Sequence, residues 1–309
     1  MSFFRERTLL AKIEGVEGTD PTPTGAANAI FCSDYTVVPI GGGQVERATA
    51  FPTFGSMPSI LVNKQVLING IKVEGAGAGA AGTAPAYGPL LRACGLSETI
   101  TAGVKVEYAP VSASQESITG YADESGALHK LTGARGNVSW LFPKDDIAQL
   151  QFDLCGRWNA PSAVALPSLT LTGFIDPLAI NKVNTPTFTM DGFAAVLESL
   201  TVNLGNKVVP RDRPNAATVR LTDRMATGSV TFEDPGIGTK DFFALVYGQT
   251  QFVMQLIHGT VAGNIIQLDM PKVQMLSPSY VNIDGVRHIQ AQLKFNRNAG
   301  DDELKFTVK

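Results

Sequence analysis

The residues whose types and spacing have chemical potential are few. Gly77-Ala78-Gly79-Ala80-Ala81-Gly82 fits a G-x-G-x-x-G pattern, in which glycines let the backbone approach a pyrophosphate held at a following helix N-terminus. It follows an alternating segment and precedes a helical one, as a dinucleotide-binding turn would. Three features oppose that chemistry. The preceding strand alternates instead of running continuously apolar, Pro85 and Pro89 disturb the helix, and no alternating βαβ pattern follows. A flexible Gly/Ala loop is the preferred reading; a dinucleotide-binding enzyme centred on Gly77 and Gly82 is the alternative.

The remaining chemistry is thinner. His129, His258 and His288 are the three histidines, each in a strand-like setting without a nearby Cys or acidic cluster, so hydrogen-bonded or surface imidazoles are expected. Asp145-Asp146 and Asp301-Asp302-Glu303 sit at predicted turns, where solvation or local capping explains them. Arg211, Arg213, Arg220 and Arg224 form the one basic cluster, expected to pair with acids of a neighbouring subunit. Cys32, Cys94 and Cys155 lie some sixty residues apart, a spacing that suits neither a disulfide framework nor zinc, and they are read as reduced thiols. No G-x-S-x-G elbow, Walker A segment, H-E-x-x-H or EF-hand loop occurs. No catalytic, cofactor-binding or metal residue is therefore assigned, and no cofactor is expected.

The elements behind these residues are β-dominated. At 309 residues the chain has room for two domains of about 150 residues. Its charged fraction of 17% lies below the roughly 25% of an average soluble domain, which with 31 Gly and 18 Pro suits turn-rich β-structure and self-association. The net charge of −3 argues against gripping nucleic acid over a broad face, which calls for a basic surface. Arg5, Glu6, Arg7, Lys12, Glu14 and Glu17 interrupt the first thirty residues, so no secretory signal is read there. No stretch is apolar enough to be read as a membrane span.

A weak internal duplication organises the chain. Tyr35-Thr36-Val37-Val38 alternates in phase with Leu200-Thr201-Val202-Asn203, and Ile71-Lys72-Val73-Glu74 with Val230-Thr231-Phe232-Glu233. Helical segments at 85–94 and 240–247 follow, each stopped by a glycine, Gly95 or Gly248, suited to a left-handed cap. Finally Ala148-Gln149-Leu150-Gln151-Phe152 matches Ala291-Gln292-Leu293-Lys294-Phe295. The predicted organisation is residues 1–30 as an N-terminal arm, 31–160 as a first domain, 161–189 as a linker and 190–309 as a second domain of the same kind.

Strand alternation sorts the faces. Leu67, Ile71 and Val73 are expected on one face, and Lys72 and Glu74 on the other. Val230 and Phe232 oppose Ser229, Thr231 and Glu233; Leu200, Val202 and Leu204 oppose Ser199, Thr201 and Asn203. Thr36, Lys72, Glu74, Ser199, Thr201, Asn203, Ser229, Thr231 and Glu233 then form a polar, weakly acidic face, which suits the lining of a water-filled channel. A plain solvated sheet surface is the competing reading.

Leu9-Leu10-Ala11-Lys12-Ile13-Glu14 through Asn28-Ala29-Ile30, Thr83-Ala84-Pro85-Ala86-Tyr87-Gly88-Pro89-Leu90-Leu91-Arg92-Ala93-Cys94-Gly95-Leu96, and His129-Lys130-Leu131-Thr132-Gly133-Ala134-Arg135-Gly136 resemble the major tail tube proteins of long-tailed bacteriophages. The likeness runs through Phe152 and the 181–188 linker, with non-contractile, siphophage-type tails as the nearest relatives. Tubes of contractile tails and of type VI secretion share the fold. The second half resembles the family in pattern more than in motifs.

The resemblance implies a mainly β fold of two tandem tail-tube-like β-sandwich or barrel domains, each with a flanking α-helix, whose inner strands join a ring-wide barrel. Such proteins act without catalysis: rings stack into a tube around a DNA channel. Most carry one tube domain and form hexamers, so two copies imply trimeric rings, with hexamers as the alternative. Implied partners are other copies of the chain, a tape measure protein, tail-tip and tail-terminator proteins, and double-stranded DNA in transit without sequence-specific binding; no membrane partner is implied. The implied location is the virion tail, after synthesis in the host cytoplasm. Stacking and subunit contacts are assigned to Leu9, Leu10 and Ile13 of the arm, to Gly42, Arg47, Phe51 and Phe54 of loop 39–64, and to Arg211, Arg213, Arg220 and Arg224 of loop 205–224. A phage adhesin or baseplate module of related fold is a further alternative.

Overall fold

The computed structural model describes residues 3, 5–48 and 50–309. The first half opens with β1 (Arg7–Ile13), a single turn α1 (Gly25–Asn28) and β2 (Ala29–Ile30), then a long hairpin of β3 (Asp34–Val45) and β4 (Ile60–Glu74). The short helix α2 (Gly88–Ala93) leads to a second hairpin, β5 (Leu96–Thr101) and β6 (Lys105–Pro110). β7 (Ile118–Glu124), β8 (Ala127–Pro143), β9 (Gln149–Trp158) and β10 (Ser162–Ala163) complete this half. The second half carries β11 (Thr187–Met190), β12 (Phe193–Ala194), β13 (Leu197–Asn203), the hairpin β14 (Asn206–Arg213) and β15 (Ala216–Arg224), and β16 (Thr227–Glu233). After α3 (Phe242–Tyr247) come β17 (Phe252–His258), β18 (Ile266–Ile283), β19 (Val286–Phe295) and β20 (Lys305–Val308).

The fold is mainly β, and the strand order of the first half recurs in the second. Hydrogen-bonded neighbours run β1, β7, β8, β9, β4, β3 in one half. They run β11, β17, β18, β19, β16, β13 in the other, with every pairing antiparallel. The halves join twice. β13 pairs with the C-terminal part of β8, and β20 lies between β18 and β6. At the second seam Trp140 and Phe306, both fully buried, have ring centroids 5.9 Å apart. Burying side chains of this size stabilises by about 2–3 kcal/mol each, so one continuous core spans both halves.

Cross-strand registers refine the repeat. Leu200 faces Val230, and Tyr35 lies between the pairs Asp34–Lys72 and Thr36–Asn69, opposite the Ile71 region, so the first two matched segments correspond. Ile71 faces Phe152 while Val230 faces Ala291. The true counterpart of Ala291 is thus Phe152, four residues on from Ala148. Alternation cannot see this slip, because an even shift leaves every side chain on its face. Alternation also misplaces Leu67. A bulge at Gly70, whose φ is +67°, puts both Ile68 and Ile71 in the core, so Leu67 lies on the opposite face from Ile71.

Three other local expectations are corrected. The helices α2 and α3 have six residues each, shorter than the segments read from sequence. Gly95 has the left-handed conformation at φ +74°, but Gly248 is right-handed and Gln249, at φ +51°, makes the reversal. Residues 7–13 are no free arm. Leu9 and Leu10 are buried in β1, which pairs with β7 and β2, and Ile13 packs against the core. Glu14, just beyond, is buried and accepts hydrogen bonds from the Ser117 and Thr119 hydroxyls and from the Gly18 and Gly133 backbone N–H groups, which fastens this segment to the first half.

Candidate functional site

The β8–β13 seam merges strands of the two halves into one sheet ordered β3, β4, β9, β8, β13, β16, β19, β18. One face of it is core. The other carries rows of side chains set by register, since directly opposed residues share a face. One row consists of Lys72, Gln151, Ser139, Asn203, Thr227, Lys294 and Gln274; the next consists of Glu74, Gln149, Leu141, Thr201, Ser229, Gln292 and Leu276. Ser199, Thr231, Gln290 and Ser279 follow, with Glu233 opposite His288 beyond them. Thr36 shares the face of Asp34, which opposes Lys72.

The structure therefore gathers the nine residues picked from alternation onto one face, with two qualifications. Thr231 is buried, and the Asn203 side chain is engaged locally, accepting from Asn137 Nδ2 at 3.0 Å and from the Gly205 N–H at 2.6 Å. Sequence reading missed Gln149, Gln151, Asp153, Gln290 and Gln292 on the same face. Their alternation in β9 and β19 was the available signal. On this face the cations are Lys72, Lys272 and Lys294, and the carboxylates are Asp34, Glu74, Asp153 and Glu233. The hydrogen bond from Arg7 holds the Asp34 carboxyl below the usual carboxylate range.

Both ends of this sheet are open. Among the described residues β3 pairs with β4 alone, and β18 beyond Val273 pairs with β19 alone. Ile40, on β3, and Tyr280, on β18, are exposed beside these edges. Unpaired edges present rows of backbone donors and acceptors that template pairing with another chain.

The two loops assigned to subunit contacts differ sharply. Residues 39–48 and 50–64 continue the β3–β4 hairpin outward. Gly42 sits at an irregularity there, Arg47 is exposed, and the tip carries Phe51 at 74% and Phe54 at 110% relative exposure. Residues 205–224 fold back as β14 and β15 over β8 and β9 of the same chain. Buried Arg135 clamps this hairpin, donating to the carbonyls of Val219, Glu116 and Gln115 and to the Glu17 carboxylate. Burial pushes the Glu17 carboxyl up, but the Arg135 hydrogen bond and the charges of Arg135, Arg220 and Arg157 outweigh it and lower its pKa. The expected intersubunit pairing of the arginines is corrected at two positions. Arg224 binds Asp301 and Glu303, and Arg220 lies 3.8 Å from Glu17, all within the chain. Arg211 and Arg213 are exposed.

The other chemically suggestive groups have structural duties. A Cβ on Gly77 would lie 2.0 Å from the Gly263 carbonyl oxygen; the Gly77 N–H donates to Asn264 Oδ1, and the Gly79 N–H to Gly263 O. The glycines thus serve a close approach between the two halves, and two of the N–H groups a pyrophosphate would need are engaged. His258 is buried. Its Nε2–H donates to the Leu178 carbonyl, which fixes the tautomer, so Nδ1 accepts from the Thr185 hydroxyl at 2.8 Å. Desolvation lowers its pKa below the ordinary histidine value. Burial raises the thiols, Cys155 to about 11 and Cys32 to about 12, so neither is a ready nucleophile at neutral pH.

Comparison with curated proteins finds no match. A family model described as phage tail tube protein matches residues 5–296. Since that match takes in both halves of an antiparallel β fold with a repeated strand order, the chain belongs to the phage tail tube protein family.

Proposed function

We infer that this member of the phage tail tube family is a structural protein of the virion that self-assembles into a tail tube. We propose that its two halves act as tandem tube domains, that three chains close a ring with pseudo-sixfold symmetry, and that stacked rings form a siphophage-type tube. Genomic DNA passes through the lumen, which first houses a tape measure protein. Tail-tip and tail-terminator proteins bound the tube, and the chain is made in the host cytoplasm.

One observation carries this reading: the merged sheet of eight strands has one polar face and an open edge at each end. The β3 edge of one chain meets the outer β18 edge of the next, which removes both edges without burying an unpaired backbone group. Three chains supply about 24 strands, and at about 4.8 Å spacing and about 40° tilt the backbone barrel is roughly 48 Å across. That leaves roughly 40 Å inside, ample for a duplex about 20 Å wide. The polar face lines the lumen, where more carboxylates than cations repel phosphate and let DNA slide. The exposed tip with Arg47, Phe51 and Phe54 reaches the adjacent ring.

Electron microscopy of the concentrated protein tests the proposal. Hollow stacked rings with threefold features are expected. Sixfold rings would keep the tube and remove the tandem-domain geometry, and a chain that stays monomeric even with virion seeds would overturn the assembly.

A further inference from the structure

Each chain has one hairpin seated on itself and one left unseated. β14–β15 lies against the end of α2. A Cβ on Gly95 would sit 2.8 Å from Leu221 Cδ1, and Asn206 Nδ2 donates to the Cys94 carbonyl at 2.6 Å. Ala93 and Cys94 at this helix end, which also pack into the core of the first half, are fully buried. In the second half the corresponding helix end is bare, with Tyr247 86% exposed. The hairpin that occupies the β14–β15 place in the first half, the outer part of β3–β4, exposes Val45, Ile60 and Val62. One apolar hairpin and one uncovered seat are thus left over in every chain.

We propose that the outer β3–β4 hairpin seats on the α3 end of the next copy of this chain within the same ring, as β14–β15 seats on α2. This rests on the ring reading above and goes beyond it, because it makes the hairpin a lateral clasp as well as a reach between rings. Repeat alignment gives the contact. The Ile71–Val230 correspondence places Val62 where Leu221 stands, and Gly95 corresponds to Gly248, next to Tyr247. A bend is available at the right place. β13 and β14 break at Gly205, φ +69°, where a Cβ would meet the Met225 carbonyl at 1.9 Å. The first half has Gly41, Gly42 and Gly43 directly after the matching position, with Gly42 at φ +125° and register shifts before and after Gly41. Glycine permits the turn that folding the hairpin over requires. One donor and one acceptor per chain make a head-to-tail contact, which closes in a ring.

The test pairs Val62→Cys with Tyr247→Cys in one chain, assembled and then oxidised with diamide, with each single variant as control. The expected covalent species stop at the number of chains in one ring. Tubes without cross-links, or a ladder running past the ring number, would overturn the lateral seat while leaving the tube intact. Hydrogen exchange on the unaltered chain gives an independent reading that needs no variant to fold. Residues 44–62 and 244–249 should exchange at least tenfold more slowly in tubes than in free subunits, and unchanged exchange in tubes would overturn the proposal. An unaltered chain that never forms rings removes the ring reading itself, and the seat with it.

Discussion

Inside the chain, β13 lies against β8 with Leu200 opposite Phe142 and Val202 opposite Trp140, all four buried. At the two ends of the same sheet, β3 and the outer part of β18 hold the corresponding places. There Val37 is half-buried, and Tyr280, which faces Ile289 as Trp140 faces Leu150, is 49% exposed. The difference teaches what a strand contact contributes in this fold. Where the neighbour is covalently attached, the seam is part of the core; at the edges proposed to meet another copy, Tyr35, the counterpart of Leu200, is buried within the chain, while Val37 and Tyr280 are left open. The two hairpins repeat the lesson, one clamped by Arg135 and the other extended with an apolar tip.

The comparison can be broken most severely at the first half's outer strand. Deleting residues 2–30 removes β1, its pairing with β7 and the Glu14 hydrogen bonds. The expected outcome is an insoluble or unfolded chain, read by circular dichroism; folded subunits unable to polymerise would restore the arm reading. Next in size is Arg135→Ala, which strips a buried clamp from the seated hairpin and leaves the Glu17 charge without its main partner. We expect a loss of roughly 3–5 kcal/mol in denaturant unfolding, with residues 206–224 becoming as open to proteolysis as residues 44–62. Retained protection would show that the hairpin is held by its apolar contacts.

A finer test makes the same change at matched seams. Val202→Ala should cost the free subunit about 1–3 kcal/mol, and Val37→Ala less than about 1 kcal/mol, because only the first opens a cavity in a packed core. In tubes the gap should narrow; equal costs in free subunits would deny that β3 is an unfinished seam. The smallest effect concerns His258, which ties Leu178 and Thr185 of the interhalf segment to β17. Its folded pKa is depressed by desolvation, so its contribution is full above the unfolded value of about 6.5 and is lost as pH falls below it. Thermal melts from pH 7.5 to 5.5 should show a fall that His258→Gln flattens, and identical slopes would assign the acid sensitivity elsewhere.

Much of the polar face was legible because strand alternation has a period of two and survives any even shift. That is why Ser199, Thr201, Ser229 and Lys72 were placed correctly while Ala148 was matched to the wrong partner of Ala291. Leu67 was lost to a bulge whose only mark in the sequence is Gly70. Leu9 and Leu10 were read as an intersubunit anchor because apolar alternation gives no partner: the same pattern fits a strand in the chain's own core and one that docks elsewhere. The basic cluster failed for a related reason, since the acids that bind Arg224 are some 80 residues away in sequence.

By itself the sequence determined local quantities: which residues alternate, which face is polar, where chains turn, and that two stretches of pattern occur in the same order. Tertiary structure decided register, the Gly77–Gly263 approach, the merging of two halves through β8 and β13, and which hairpin is seated. These depend on pairings between residues far apart in the chain, selected by the joint fit of many side chains and backbone groups, and a periodic pattern carries no record of its partner.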